Sequence, residues 1–285
     1  MTVLKLNGFT KNGPENYQVI PRLSLLVLNL MPNKQTTEKQ INRLLTEVAS
    51  PVSVTYMYPE THQWKHGNQR QLAQNYTTLS AIRNNYFDGL IVTGAPLEQL
   101  KFSDIDFWQE FVQIRDWSKT HTRSQLFTCW GAQAALYDDY AVPKIDLEQK
   151  IFGIYDNQLK TTRLPRSFLM PQSRFSKVDA KDILKVPELE ILADNQATGP
   201  FFIQSQIANS LYVLGHPEYQ ADTLINEYQR DKTLAHPTEK PANLSLRNPL
   251  ASYVRWHNSS LNLYQTWMDK IEEEKYHHER KQIQI

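Results

Sequence analysis

The stretch "LFTCWGAQAALY", residues 126–137, decides how the chain is read. Its first half is apolar and suits a strand, and its second half is rich in Ala, Leu and Gln, which suits a helix. At the junction stands Cys129, the only cysteine in 285 residues. A residue at a sharp strand-to-helix turn projects its side chain from the rim of a sheet. The helix N-terminus behind it favours an anion and lowers a thiol pKa. Gly131 and Ala132 keep the turn uncrowded. Two readings compete for Cys129: a small buried side chain, since cysteine is among the most buried residue types, or a nucleophile.

The flanking sequence supplies the rest of the sheet. "LSLLVLNLM" (23–31) is a continuous apolar run, the mark of a strand buried on both faces. In "TEKQINRLLTEV", Ile41, Leu44, Leu45 and Val48 fall at helical spacing. "VSVTYMY" (52–58) and "FDGLIVTGAP" (87–96) are further strands, the second stopped by Gly94 and Pro96. "DIDFWQEFVQIRDWSKTH" repeats Phe107, Phe111, Ile114 and Trp117 along one helical face. Strands alternating with helices predict βαβ units and a parallel sheet, with ligands beyond the carboxyl ends of the strands. Lys34, residues 94–98 and Cys129 each follow a strand, so three strand ends point to one rim.

Downstream, "KIFGIYDNQL", "SFLMPQSRF", "LEILADN" and "GPFFIQSQIANSLYVLG" read as short strands with antiparallel pairs. Two helices follow, "QADTLINEYQRD" and "NPLASYVRWHNSSLNLYQTWMDKIEEE", joined by a long loop rich in Pro and Asn. We read residues 1–285 as one domain, with a variable N-terminal segment (1–22) and a solvated helical tail that frays (270–285). Lys and Arg number 31 against 30 Asp and Glu, so no electrostatic footprint for nucleic acid or an acidic membrane is expected. A lone cysteine cannot form an intramolecular disulfide, which fits a reducing cytoplasm. The first residues lack an apolar signal core, and no run approaches the ~18 apolar residues of a membrane span.

The second chemical element is "LYVLGHPEYQ", where a strand ends at Gly215 and is followed by His216, Pro217 and Glu218. A thiol nucleophile needs an imidazole base, and the imidazole needs a carboxylate to fix its tautomer. Extended residues at i and i+2 face the same side, and Pro217 biases His216 toward extended geometry. "AHPTE" at His236 is a control that puts Thr238 where the carboxylate would stand. His62, His66, His277 and His278 lie in polar stretches and read as solvated. No histidine pair has zinc spacing with a further ligand, so no metal is expected. Cys129 followed by His-x-Glu points to acyl chemistry through a thioester.

The pattern Cys129-x-Gly131-x-Gln133 resembles the nucleophile turn of class I glutamine amidotransferases. More widely, "LVLNLMPNKQTTEKQINRLL", "FDGLIVTGAPLEQLKFSDIDFW", "FTCWGAQAAL", "EQKIFGIYD", "LMPQSRF" and "GHPEYQADTLINEYQRD" resemble the homoserine O-succinyltransferase/O-acetyltransferase family over residues 23–267. The resemblance implies an α/β, class I glutamine amidotransferase-like (flavodoxin-like) fold, a mostly parallel sheet flanked by helices. It implies acyl transfer from a coenzyme A thioester to an amino-acid hydroxyl. Cys129 matches the family nucleophile, His216 the general base and Glu218 its partner. Lys34, Lys150, Ser173 and Arg230 match positions lining the active site or acceptor pocket, and Glu98 matches the position where glutamate accompanies an acetyl donor. On chemistry, the Trp130 amide and Lys34 suit an oxyanion hole, Arg230 suits a carboxylate, and Glu98 would repel a succinyl carboxylate. Without the resemblance, Lys34, Lys150 and Arg230 read as solvated and Glu98 as an ordinary loop acid.

Three features depart from the family pattern: a short segment before Leu23, a short stretch from Lys150 to Ser173, and Gln172 where many members have histidine. These positions are expected near the acceptor pocket, so homoserine and serine both stay open as acceptors. One methylene is worth only ~1–3 kcal/mol in a pocket. No resident cofactor is expected; acetyl-CoA and a small hydroxy amino acid are the expected partners, and a homodimer is a family-level expectation. Two other classes fit parts of the pattern: a glutaminase feeding ammonia to a synthetase, and a noncatalytic binding protein.

Overall fold

Apolar runs buried on both faces and amphipathic helices between them build a single ten-stranded sheet in this computed structural model, which describes residues 2–12, 19–63, 69–160, 167–232 and 238–283. The first half is β1 (Val3–Lys5), β2 (Leu23–Leu28), α1 (Lys34–Glu47), β3 (Val52–Met57), α2 (Gln69–Asn75), α3 (Leu79–Ile82) and β4 (Phe87–Val92). It continues through α4 (Trp108–His121), β5 (Thr122–Thr128) and α5 (Trp130–Tyr140). The second half is β6 (Lys144–Leu159), β7 (Ser167–Val178), α6 (Ala180–Ile183), β8 (Leu189–Asn195), β9 (Gly199–Ser205), β10 (Ser210–Val213), α7 (Thr223–Asp231) and α8 (Pro249–Ile283). The strand order is β1-β3-β2-β4-β5-β10-β9-β8-β6-β7. Strands from β1 to β10 in that order pair parallel, and β10-β9-β8-β6-β7 pair antiparallel.

β10 is the hinge of this topology. It runs parallel to β5, with Val213 opposite Thr128, and antiparallel to β9. The residues that follow β5 and β10 therefore emerge side by side at one rim. On one face, Leu25, Val27, Ile41, Leu45 and the stripe Leu263, Tyr264, Trp267, Met268, Ile271 of α8 form a core. On the other, Phe107, Phe111, Ile114 and Trp117 pack with Trp130, Leu136 and Phe127. The periodicity read along α4 thus marks a buried face.

Two expectations change. The tail expected to fray from 270 is helical to Ile283; Ile271 is fully buried, and Lys275 reaches Asp88 and the Arg22 carbonyl. His62 is not simply solvated: its Nδ1 lies 2.9 Å from Asp106, and its ring meets Phe107 edge-on. His277 and His278 are exposed, while His66 and His236 lie outside the described residues. The loop 238–248 is held against the β6–β7 hairpin at Gly153, where φ is +139° and a side chain would come within 2.3 Å of the Ala242 backbone.

Candidate active site

Cys129 caps α5 with φ 48° and ψ −117°, a conformation that L-residues rarely adopt. Three interactions hold it there. Its N–H donates to the Val213 carbonyl at 2.8 Å, and its carbonyl accepts from Ala132 and Gln133 at 3.1 and 3.2 Å. Gly131 closes the turn, since a Cβ there would lie 2.6 Å from the Thr93 carbonyl. The thiol is 5% exposed. The Trp130 amide, at the start of α5, has no hydrogen-bond partner among the described residues, and helix geometry leaves it without an intrahelical acceptor. The Trp130 indole is buried between Phe107 and Phe111.

His216 follows β10, with its N–H donating to the Pro171 carbonyl at 3.0 Å. Its Nδ1 lies 2.9 Å from Oε1 of Glu218, and both residues are buried. A methyl group placed on Gly94 would sit 3.4 Å from Cε1 of His216 and 3.6 Å from Sγ of Cys129, so the ring edge and the sulfur meet over that glycine. Nε2 forms no hydrogen bond of standard geometry among the described residues. Burial disfavours the charged ring, but the charges of Cys129 and Glu218 outweigh it and raise the imidazole pKa well above its ordinary value. Tyr219 stacks on the ring at 4.1 Å and donates its hydroxyl to Glu227 at 2.6 Å.

Cys129 and His216 open on a cavity of about 680 Å³. Glu98 lines it from the loop after β4, Lys150 from β6, Ser173 from β7 and Arg230 from α7. The same wall carries two carboxylates that the sequence reading passed over. Glu227 accepts from Ser173 Oγ at 2.6 Å, and Asp231 pairs with Lys150 at 2.9 Å and with Arg230 at 2.6 Å. Burial opposes the charge on Asp231, yet hydrogen bonds from Arg230 and Lys150 hold its carboxyl below the usual range. Glu227, Arg230 and Asp231 share one face of α7 by their i, i+3, i+4 spacing, a signal available in "NEYQRD".

Two expected positions differ. Lys34 does not line the cavity; it is buried at the start of α1, and its ammonium donates to the Met31 carbonyl at 2.7 Å. Burial pulls its pKa down to about 7. Gln172 is also absent from the cavity lining; it is fully buried and bonded to Arg174 and Thr198. Gln172 thus adjoins the cavity through its neighbour Ser173 rather than lining it. Among the described residues, no group of three or more His, Cys, Asp or Glu is placed to hold a metal ion. Among the same residues no helix is long and apolar enough to cross a membrane.

A family profile described as homoserine O-succinyltransferase matches residues 9–276. The chain belongs to the homoserine O-succinyltransferase family. A protein of Desulfitobacterium hafniense named homoserine O-acetyltransferase is 41% identical over 264 residues, covering 89% of this chain and 85% of that one. One of Lactococcus lactis with the same name is 39% identical over 260 residues, covering 88% and 81%. One of Thermotoga petrophila, likewise so named, is 44% identical over 220 residues, covering 75% and 72%. A glutamine amidotransferase structure from Thermotoga maritima superposes with a TM-score of 0.60 at 11% identity, covering 89% of this chain and all of that one. A glutamine amidotransferase of Methylobacillus flagellatus gives 0.59 at 10% identity, covering 88% and 95%. The fold of this homoserine O-succinyltransferase family member is class I glutamine amidotransferase-like, and the protein is an acyltransferase.

Proposed function

We propose that the protein transfers an acetyl group from acetyl-CoA to the side-chain hydroxyl of homoserine, in two steps through an acetyl-Cys129 thioester. The observation that carries this reading is the strained Cys129 turn beside the His216–Glu218 pair in a cavity whose lining carries both signs of charge. The raised imidazole pKa favours a protonated His216, and in this mechanism that proton comes from the thiol, so that the sulfur attacks as a thiolate. The sulfur attacks the acetyl carbonyl carbon, and the carbon–sulfur bond to coenzyme A breaks. The departing thiolate takes the proton of the imidazolium. The acceptor hydroxyl then gives its proton to neutral His216 as its oxygen attacks the thioester carbon, and Cys129 is released.

In both steps the oxyanion accepts from the Trp130 amide. Lys34 supports this part of the site from below, by holding the Met31 carbonyl. Homoserine's ammonium fits the carboxylates of Glu227 and Asp231, and its carboxylate fits Arg230 and Lys150. The names of the relatives support homoserine and an acetyl group, and Glu98 in the cavity adds a charge that would repel a donor ending in a carboxylate.

The test is acetyl-CoA without acceptor. One acetyl mass should appear on the protein and should vanish in Cys129→Ala. Comparing homoserine with serine by kcat/KM then fixes the acceptor; a higher value for serine would reassign it. Steady, Cys129-dependent ammonia release from glutamine, with no acetyl adduct, would replace the reading by a glutaminase.

A further inference from the structure

Arg174, on β7, is fully buried, and its five hydrogen bonds among the described residues all go to uncharged acceptors. Nε and Nη2 share the Gln172 Oε1 at 3.1 and 2.7 Å, Nε also reaches the Leu214 carbonyl at 3.2 Å, and Nη2 reaches the Thr198 carbonyl at 2.9 Å. Nη1 donates to the Ser176 carbonyl. The contrast is Arg115, equally buried, which pairs with Asp139. A buried cation without a carboxylate is costly, so the field of Arg174 is not cancelled where it stands.

Its contacts lead to the two reacting groups. Leu214 is two residues before His216, whose N–H bonds to Pro171 on the same strand as Arg174. Ser176 donates its hydroxyl to Gln133 Oε1 at 2.7 Å, and the Gln133 N–H bonds to the Cys129 carbonyl. Burial brings the guanidinium pKa down to about 10, which leaves it charged at neutral pH, while Cys129, Tyr155 and Glu98 pull it the other way. The titratable groups that line the cavity with Cys129 are His216, bonded to Glu218, Tyr219, Glu98 and the cluster of Lys150, Glu227, Arg230 and Asp231, while Arg174 lies outside that lining.

We propose that Arg174 is a positioning residue of the acyltransferase, tying β7 through its hydrogen bonds to the turns that carry Cys129 and His216 and holding there a buried positive charge with no carboxylate bonded to it, which makes the sulfur a more reactive nucleophile. The inference rests on Cys129 being the nucleophile, but its test does not require acyl transfer. Cys129 is the only thiol in the chain, so iodoacetamide labelling of the folded protein reports on it alone.

The decisive variant is Gln172→Glu, which leaves Arg174 in place and gives it a carboxylate of the same shape. Labelling should slow about tenfold below the wild-type midpoint, with the midpoint rising by about one pH unit. Arg174→Lys keeps the charge but loses the planar fork; its melting temperature should fall while its labelling midpoint stays near wild type. A purely structural role would move melting in Arg174→Lys and leave labelling in Gln172→Glu untouched. An unchanged midpoint in folded Gln172→Glu, or a midpoint in Arg174→Lys displaced as far as in Gln172→Glu, would overturn the proposal. Failure of the acetyl-transfer reading would show separately, as the lack of an acetyl adduct in the wild type whatever the labelling profile.

Discussion

Glu218→Gln isolates the role of the carboxylate behind the imidazole. Nδ1 of His216 and Oε1 of Glu218 are 2.9 Å apart, and each side chain is only 4% exposed, so solvent screens the pair little. Without that carboxylate the imidazole is mis-set for proton transfer, whose positioned acid–base contribution is typically ~10²–10⁴-fold. Acetylation of Cys129 should slow by roughly that factor, about 3–5 kcal/mol on the barrier at about 1.36 kcal/mol per decade. The amide can also turn its N–H toward Nδ1, which leaves the ring proton on Nε2 and removes the lone pair that must receive the acceptor's proton. Oε2 of Glu218 has no partner among the described residues, so the substitution breaks no second hydrogen bond there, and the fold should survive. The assay is rapid mixing with acetyl-CoA, acid quench, and the mass of the adduct against time. Because Glu218 helps to raise the imidazole pKa, the alkaline limb of the rate profile should also move to lower pH in the variant. A folded Glu218→Gln protein that acetylates within about threefold of wild type would refute the reasoning, since that is under ~1 kcal/mol.

Glu227→Gln should raise KM for the amino-acid acceptor roughly 10–100-fold, as expected for losing a charged hydrogen bond of ~1.5–3 kcal/mol, while KM for acetyl-CoA stays near wild type; steady-state kinetics with each substrate varied in turn check this. Glu98→Gly should raise the ratio of succinyl-CoA to acetyl-CoA use by about tenfold, near 1.4 kcal/mol, and an unchanged donor ratio removes Glu98 from donor choice. Lys34→Met should stabilise the protein at neutral pH. The folded-state pKa of Lys34 is about 7 against 10.5 unpaired, so between those values the unfolded chain binds the extra proton and wild-type stability rises with pH. The variant lacks that contribution, so its advantage in chemical denaturation should shrink by up to ~1.36 kcal/mol per pH unit over the window.

The frame of the site was legible because it depends on local pattern. Apolar runs ending at Leu28, Val92 and Thr128, each followed by a turn, place three strand ends at one rim whatever the tertiary detail. His216 and Glu218 were legible because two residues of extended chain with Pro217 between them already fix their relative direction. What stayed hidden depends on distant partners. Glu227 acquires its meaning from Ser173 and Tyr219, which reach it from β7 and from the turn after β10. Lys34 sits at the expected strand end, but its orientation toward the Met31 carbonyl is a packing outcome. The polar tail reads as solvated because its composition is charged. Lys275 is anchored there by Asp88 and the Arg22 carbonyl, far away in sequence, and Ile271 packs into the core.

The same elbow, imidazole and carboxylate can serve hydrolysis or transfer, so the outcome must depend on which nucleophile meets the thioester. Water is always at hand, and an alcohol competes only if it is held with its oxygen at the thioester carbon, where orientation replaces concentration. In the proposed mechanism the wall from β6, β7 and α7 does that. Glu227 is fixed by two hydrogen bonds of 2.6 Å, from Ser173 and from Tyr219, and Tyr219 stacks on His216. In the proposed mechanism, the carboxylate that receives the acceptor's ammonium is thereby linked through one aromatic ring to the base that takes the acceptor's proton. Displacing Glu227 would misplace the acceptor and loosen the imidazole together, so loss of this wall should show first as hydrolysis of the acetyl-enzyme gaining on transfer.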